Sequence, residues 1–283
     1  YILKLGIICL GIQLKPFEFL EFGAVAIPLI IICIATVLIV IKLLIKKLKI
    51  PTRMAYLISI GSTVCGTTAI MATAPVIGAK KNEVSYAIAN ITLFGILSML
   101  IYPYFANYYF DAEPMFVGLF LGTSIHETSQ VAAAGLIYDQ QFNSPETLNV
   151  ATVTKLIRNT FLVIMIPLFA FLYNRNNVVK KNYSILAIFP YFVIGFVAMI
   201  ILRNIGDQFF LNSYNNLWLE TVDIIKSSSK VFLTMAMAAI GLSTNLRDLK
   251  SMGYKPFLVG FIGMATVGLV SILSIEFYIN FLN

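Results

Sequence analysis

Charge is scarce in this chain. Of its 283 residues only 12% are Asp, Glu, Lys or Arg, and histidine occurs once; so few charges cannot coat a soluble domain of this size. Cysteine occurs three times, as Cys9, Cys33 and Cys65, each inside an apolar run, which argues against a disulfide framework or a CxxC metal site. No GxxxxGK[ST] loop occurs, so direct ATP drive has no support, and neither GxSxG nor HExxH is found. The longest polar stretch, around Asp207 to Asn216, is only loop-sized, so no soluble domain or long linker interrupts the chain.

Apolar residues make up 59% of the sequence, and mean hydropathy is +0.88. They fall in runs of about 20, the length an α-helix needs to cross about 30 Å of hydrocarbon. We read nine candidate spans: Tyr1 to Leu14, Phe22 to Ile45, Ala55 to Ile77, Val84 to Phe105, Met115 to Tyr138, Val150 to Tyr173, Ser184 to Leu202, Leu219 to Asn245 and Phe257 to Phe281. The chain opens at Tyr1 already within an apolar stretch, so further hydrophobic segments are expected before it and the full count is nine to eleven. The expected fold is therefore all-α and polytopic, with residues 1–283 forming one transmembrane unit.

The formal charge of +7 is held in short basic clusters between spans rather than in a continuous basic face, so it speaks for membrane topology and not nucleic acid. Lys46, Lys47, Lys49 and Arg53, then Arg175, Lys180 and Lys181, then Arg247, Lys250 and Lys255 share one side if every span crosses once. The positive-inside rule makes that side cytoplasmic. Lys80 and Lys81 fall on the other side and Asp111 with Glu113 on the cytoplasmic one, an exception that a re-entrant segment nearby would remove.

Two spans are interrupted by small polar residues: GSTVCGTTAIMATAP, Gly61 to Pro75, and GTSIHETSQVAAAG, Gly122 to Gly135. Glycine and clustered hydroxyls weaken helix continuity, and free backbone at membrane depth survives only inside protein or beside a wet cavity. A broken helix exposes N–H groups and the positive end of its dipole, a cradle for an anion. Close helix packing through small residues is the alternative reading. Candidate ligands are Ser62, Thr63, Cys65, Gly66, Thr67 and Thr68 in the first segment and Thr123, Ser124, His126 and Gln130 in the second.

His126 and Glu127 are ionisable groups deep in an apolar span, a placement that costs about 2.5–3.5 kcal/mol for a charged side chain and is usually functional. We expect them to couple protons, against the alternative of a structural hydrogen-bonded pair. Lys155 and Arg158, three apart on one helix face, would supply the positive charge an oxyanion needs; snorkelling to the interface is the competing reading. GIQLKPFEFLEFG, Gly11 to Gly23, aligns without gaps on GLSTNLRDLKSMG, Gly241 to Gly253, which is read either as an inverted repeat or as chance similarity.

The stretches GSTVCGTTAIMATAPVIGAKKNEVSYAIANITLFG, GTSIHETSQVAAAG, ATVTKLIRN and AMAAIGLSTNLRDLKSMGYKPFLVG closely resemble, in the same order, YeiH-type bacterial inner-membrane proteins labelled sulfate exporters. That resemblance covers nearly the whole chain. It implies distant kinship with bile-acid/sodium symporters and cation/proton antiporters, and an inverted-repeat fold with discontinuous core helices within residues 55–173 and panel helices from 1–45 and 184–283. The function expected is secondary export of sulfate or a related sulfur oxyanion by alternating access, not enzymatic and without cofactors, in the bacterial inner membrane. Its partners would be the small anion, a coupling ion (proton or sodium), the lipid bilayer and a second copy in a homodimer, with no nucleic acid. A sodium- or proton-coupled organic-anion carrier, an intramembrane hydrolase using Ser124 or Ser129, and a non-transporting receptor or scaffold stand as alternatives.

Overall fold

A computed structural model describes residues 2–13, 16–48, 50–174, 192–210, 215–243 and 254–282. These hold twelve α-helices and no strand: α1 (Ile2–Leu10), α2 (Pro16–Leu48), α3 (Thr52–Thr63), α4 (Gly66–Thr73), α5 (Lys81–Tyr109), α6 (Pro114–Ser124), α7 (Thr128–Phe142), α8 (Pro145–Thr160), α9 (Leu162–Asn174), α10 (Phe192–Phe210), α11 (Asn215–Ser243) and α12 (Tyr254–Leu282). Three of them, over Phe22–Leu44, Lys81–Tyr109 and Tyr254–Asn280, are long and apolar enough to cross a membrane.

Local chemistry sets the breaks. Pro114 and Pro145 open α6 and α8, where their fixed φ suits a first helical turn and the missing N–H costs nothing. The Lys80 backbone N–H donates to the Glu83 carboxylate at 2.7 Å and starts α5. Asn143 takes a left-handed conformation, φ 56°, and turns α7 into α8, a role its short polar side chain tolerates.

Contacts along α5 and α8 give the directions. The pairs Asn90 with Pro256, Phe94 with Phe257 and Phe261, and Tyr109 with Glu276 show that α12 runs parallel to α5. Phe110 meets Phe116 and Tyr102 meets Phe120, so α6 runs back against α5. Gln130 bonds Thr92 while Tyr138 bonds Asn107, so α7 runs forward again. Hence α6 and α7 form a hairpin whose tip lies at residues 125–127 and whose two ends both lie near the end of α5. The first interrupted segment does the same from the opposite end. Arg53 lies close enough to Glu83 to feel its charge, Gly61 abuts Ile91, and Gly61 also abuts Ile70. Thus α3 runs along α5 and α4 returns toward the α5 start.

The segments 55–77 and 115–138, expected to cross once each, instead fold back, because at each break the backbone leaves helical geometry instead of merely kinking. Lys80 and Lys81 consequently lie at the same end as Arg53, which removes the charge exception. Beyond the tips, α8 and α9 run as a broken pair from the α6–α7 end toward the start of α3, where Arg53 Nε donates to Tyr173 Oη at 3.1 Å. A second group of helices lies to the side: Ser229 of α11 donates to Gly6 O of α1 at 2.7 Å, and Lys230 bridges to Asp139 of α7 at 2.6 Å. Residues 184–191 of the seventh expected span, and most of the Gly241 to Gly253 repeat, lie outside the described residues.

Candidate functional site

The two hairpin tips meet each other, and α8 crosses beside both. Each tip ends a helix, and a helix C-terminus leaves carbonyls without intrahelical partners and a negative dipole end. Lys155 and Arg158, on adjoining turns of α8, meet that demand. Lys155 Nζ donates to Val64 O at 3.0 Å, Ile125 O at 2.9 Å and His126 O at 2.5 Å. Arg158 donates from Nε to Thr63 O at 3.0 Å, from Nη2 to Ser62 O at 2.8 Å, and from Nη1 to Thr123 O at 2.6 Å and Ile125 O at 3.5 Å. Neither cation snorkels: their exposures are 0% and 1%.

The junction is stitched by side chains as well. Cys65 Sγ and Thr128 Oγ1 are 3.4 Å apart, and Asn159 Nδ2 donates to Thr128 Oγ1 at 3.0 Å. Glu127, on the second tip, accepts the Thr67 backbone N–H of the first at 3.2 Å and so sits at the positive end of α4. Gly66 makes this approach: its φ is +41°, and a Cβ there would run into the Glu127 side chain. Any other residue would both strain that backbone and displace the carboxylate.

Thr63 bonds back to Ser59 O at 2.5 Å and Ser124 to Phe120 O at 2.5 Å, so both hydroxyls serve their own helices. Thr123 Oγ1 reaches Ser271 of α12 at 2.6 Å. His126 is fully buried, and among the described residues neither ring nitrogen finds a hydrogen-bond partner; Ser62 Oγ, Gln130 Oε1 and Asn159 Oδ1 are likewise buried and find none there. Thr67 is half-buried and Thr68 exposed, so Thr68 points away from the junction that gathers the other candidates. Ser271 was not anticipated, its only sequence signal being a hydroxyl in an apolar run, and the Val64 and Ile125 carbonyls carry no side-chain signature at all.

Among the described residues no ion pair joins Glu127 to either cation. Glu127 is the sole acidic residue in the tip segments 62–66 and 123–130. With all three groups ionised, the junction carries one excess positive charge.

A helical scaffold, apolar crossing-length helices and a buried polar junction define a helical membrane protein. A family profile described as Conserved hypothetical protein 698 matches residues 1–260. The chain is 35% identical to a UPF0324 membrane protein of Fusobacterium nucleatum over 97% of its length and 82% of the relative's. It is 37% identical to one of Streptococcus agalactiae over 92% and 75% respectively, and 32% identical to one of Streptococcus pneumoniae over 97% and 81%. It belongs to the UPF0324 membrane protein family. No solved structure matches the chain.

Proposed function

We propose that the protein is a secondary active transporter that exports a small oxyanion, sulfate or a related sulfur anion, by alternating access with proton coupling. The observation that carries this reading is the junction: two half-helix hairpins, opening to opposite ends of α5, meet at their tips and bury two cations against one carboxylate. With α5 taken as a span, each hairpin is re-entrant, and α3–α4–α5 and α6–α7–α8–α9 run in opposite senses, as an inverted repeat requires. Such irregular backbone is tolerated at membrane depth only where protein or a cavity supplies its partners.

The excess positive charge favours an anion at the tips. Lys155 has three N–H donors, all engaged, whereas Arg158 has five and uses four. Among the described residues Arg158 thus retains one N–H for a ligand, and Lys155 acts through its charge. The first turn of α7 adds N–H groups that no intrahelical carbonyl takes. Glu127 holds the matching place on α4, so substrate and carboxylate compete for positive potential, and a proton on Glu127 is the counterpart of a bound anion. His126 lies beside it in sequence as a second proton acceptor. Ser124 is poorly placed for the hydrolase alternative, since its hydroxyl is bonded to Phe120 O.

The test is labelled sulfate flux in proteoliposomes under an imposed pH gradient, with counterflow against a panel of inorganic and organic anions. The expected result is sulfate movement driven by the gradient, with Glu127→Gln abolishing the dependence on the gradient. Counterflow by carboxylates alone would replace the cargo, and the absence of flux for every anion would remove the carrier reading.

A further inference from the structure

We infer that Lys155 places its ammonium in a cation site built by both hairpins, so that the junction takes no sodium ion. The site is made of three backbone carbonyls: Val64 O from the first tip and Ile125 O and His126 O from the second, at 3.0, 2.9 and 2.5 Å from Nζ. In broken-helix carriers, unwound carbonyls of this kind are what coordinate a coupling sodium. Here the position is filled by a cation tethered to α8, whose three donors match the three oxygens one for one.

Two further features fit a filled cation site rather than a salt bridge. Lys155 is fully buried, and among the described residues no carboxylate lies within ion-pairing distance, so the ammonium's direct partners are neutral oxygens and Glu127 acts on it only at longer range. The oxygens also come from both hairpins. A diffusible ion there would join and release the tips as it bound and left, whereas a tethered ammonium holds them together at every sodium concentration. The inference stands on the carbonyl geometry. Only its consequence for coupling, a proton rather than sodium, rests on the carrier reading above.

The experiment follows thermal unfolding of purified, detergent-solubilised protein by reaction of Cys9, Cys33 and Cys65 with a thiol-reactive dye. Sodium is raised against choline at constant ionic strength. For the unaltered chain the midpoint is expected to be the same in both salts. Lys155→Ala removes the ammonium and leaves the carbonyls, so its midpoint falls and is then raised saturably by sodium but not choline, by on the order of 5 °C. Lys155→Met removes the charge but keeps the volume, and its lowered midpoint is expected to ignore sodium. A saturable sodium effect on the unaltered chain overturns the inference, as does a folded Lys155→Ala that treats sodium and choline alike. Where Lys155→Ala does not accumulate, the unaltered chain decides alone by the same criterion, backed by equilibrium binding of labelled sodium. A chain that shows the expected cation behaviour but carries no anion keeps this inference and loses the transporter.

Discussion

The two hairpins do the same job by different means. Both end a helix at the junction and hand their carbonyls to α8. The α3–α4 tip needs a left-handed Gly66 and comes to the surface at Thr68. The α6–α7 tip turns through extended backbone at Ile125 and Glu127 and is sealed, with Ser124, Ile125 and His126 at zero exposure. The charge traffic is also one-sided. The second hairpin sends a carboxylate to the positive end of α4, while no described acidic residue of the first caps α7. One hairpin thus supplies the carboxylate and the other the N–H groups that receive it, so equivalent positions should not respond equally to mutation.

The largest effect is expected where the hairpins depend on one shared group. Arg158→Met leaves buried carbonyls of both tips unsatisfied, at about 1–3 kcal/mol each, and should cost about 3–5 kcal/mol in all, read as a fall of roughly 10 °C in the thermal midpoint. A stability near that of the parent chain would show that the tips do not rely on α8. Next come the glycines. Gly66→Ala combines backbone strain with a clash against Glu127 and should cost about 1–3 kcal/mol. Gly122→Ala drives a methyl into Thr154 and the Ala151 carbonyl for a similar cost. They separate in function: Gly66→Ala should alter the pH dependence of flux and Gly122→Ala should not, and equal pH profiles would erase the asymmetry.

A smaller effect is expected for Thr128→Val. It removes the hydroxyl shared by Cys65 and Asn159 and should lower stability by about 1 kcal/mol. The smallest belongs to Thr68→Ala, an exposed position where stability should stay within about 0.5 kcal/mol and flux should not change. A loss of flux there would move the site outward along α4.

The breaks were legible because Gly61, Ser62, Thr63, Gly66, Thr67 and Thr68 crowd into one apolar stretch, and His126 with Glu127 into another. The return of the chain was not, since residues 52–73 and 114–142 are each long enough to cross, and hydropathy does not distinguish crossing from folding back. The one trace was electrostatic: Lys80 and Lys81 sit on the wrong side unless the first segment returns. For Lys155 and Arg158 the sequence allowed both an inward turn and snorkelling, and their burial selects the inward turn. Their occupation by backbone carbonyls was not legible, because a carbonyl freed by a broken helix has no letter in the sequence.

The spacing of Gly118 and Gly122 has a mechanical consequence. At both positions a Cβ would meet α8 backbone or Cβ atoms of Val150 and Thr154, so α6 and α8 touch along their main chains with no flexible side chain between them. Such a seam cannot shear by small amounts without collision, and it makes α6 and α8 one stiff lever. Any rearrangement of the two hairpins against each other would therefore have to bend outside the α6–α8 seam, which moves as one body.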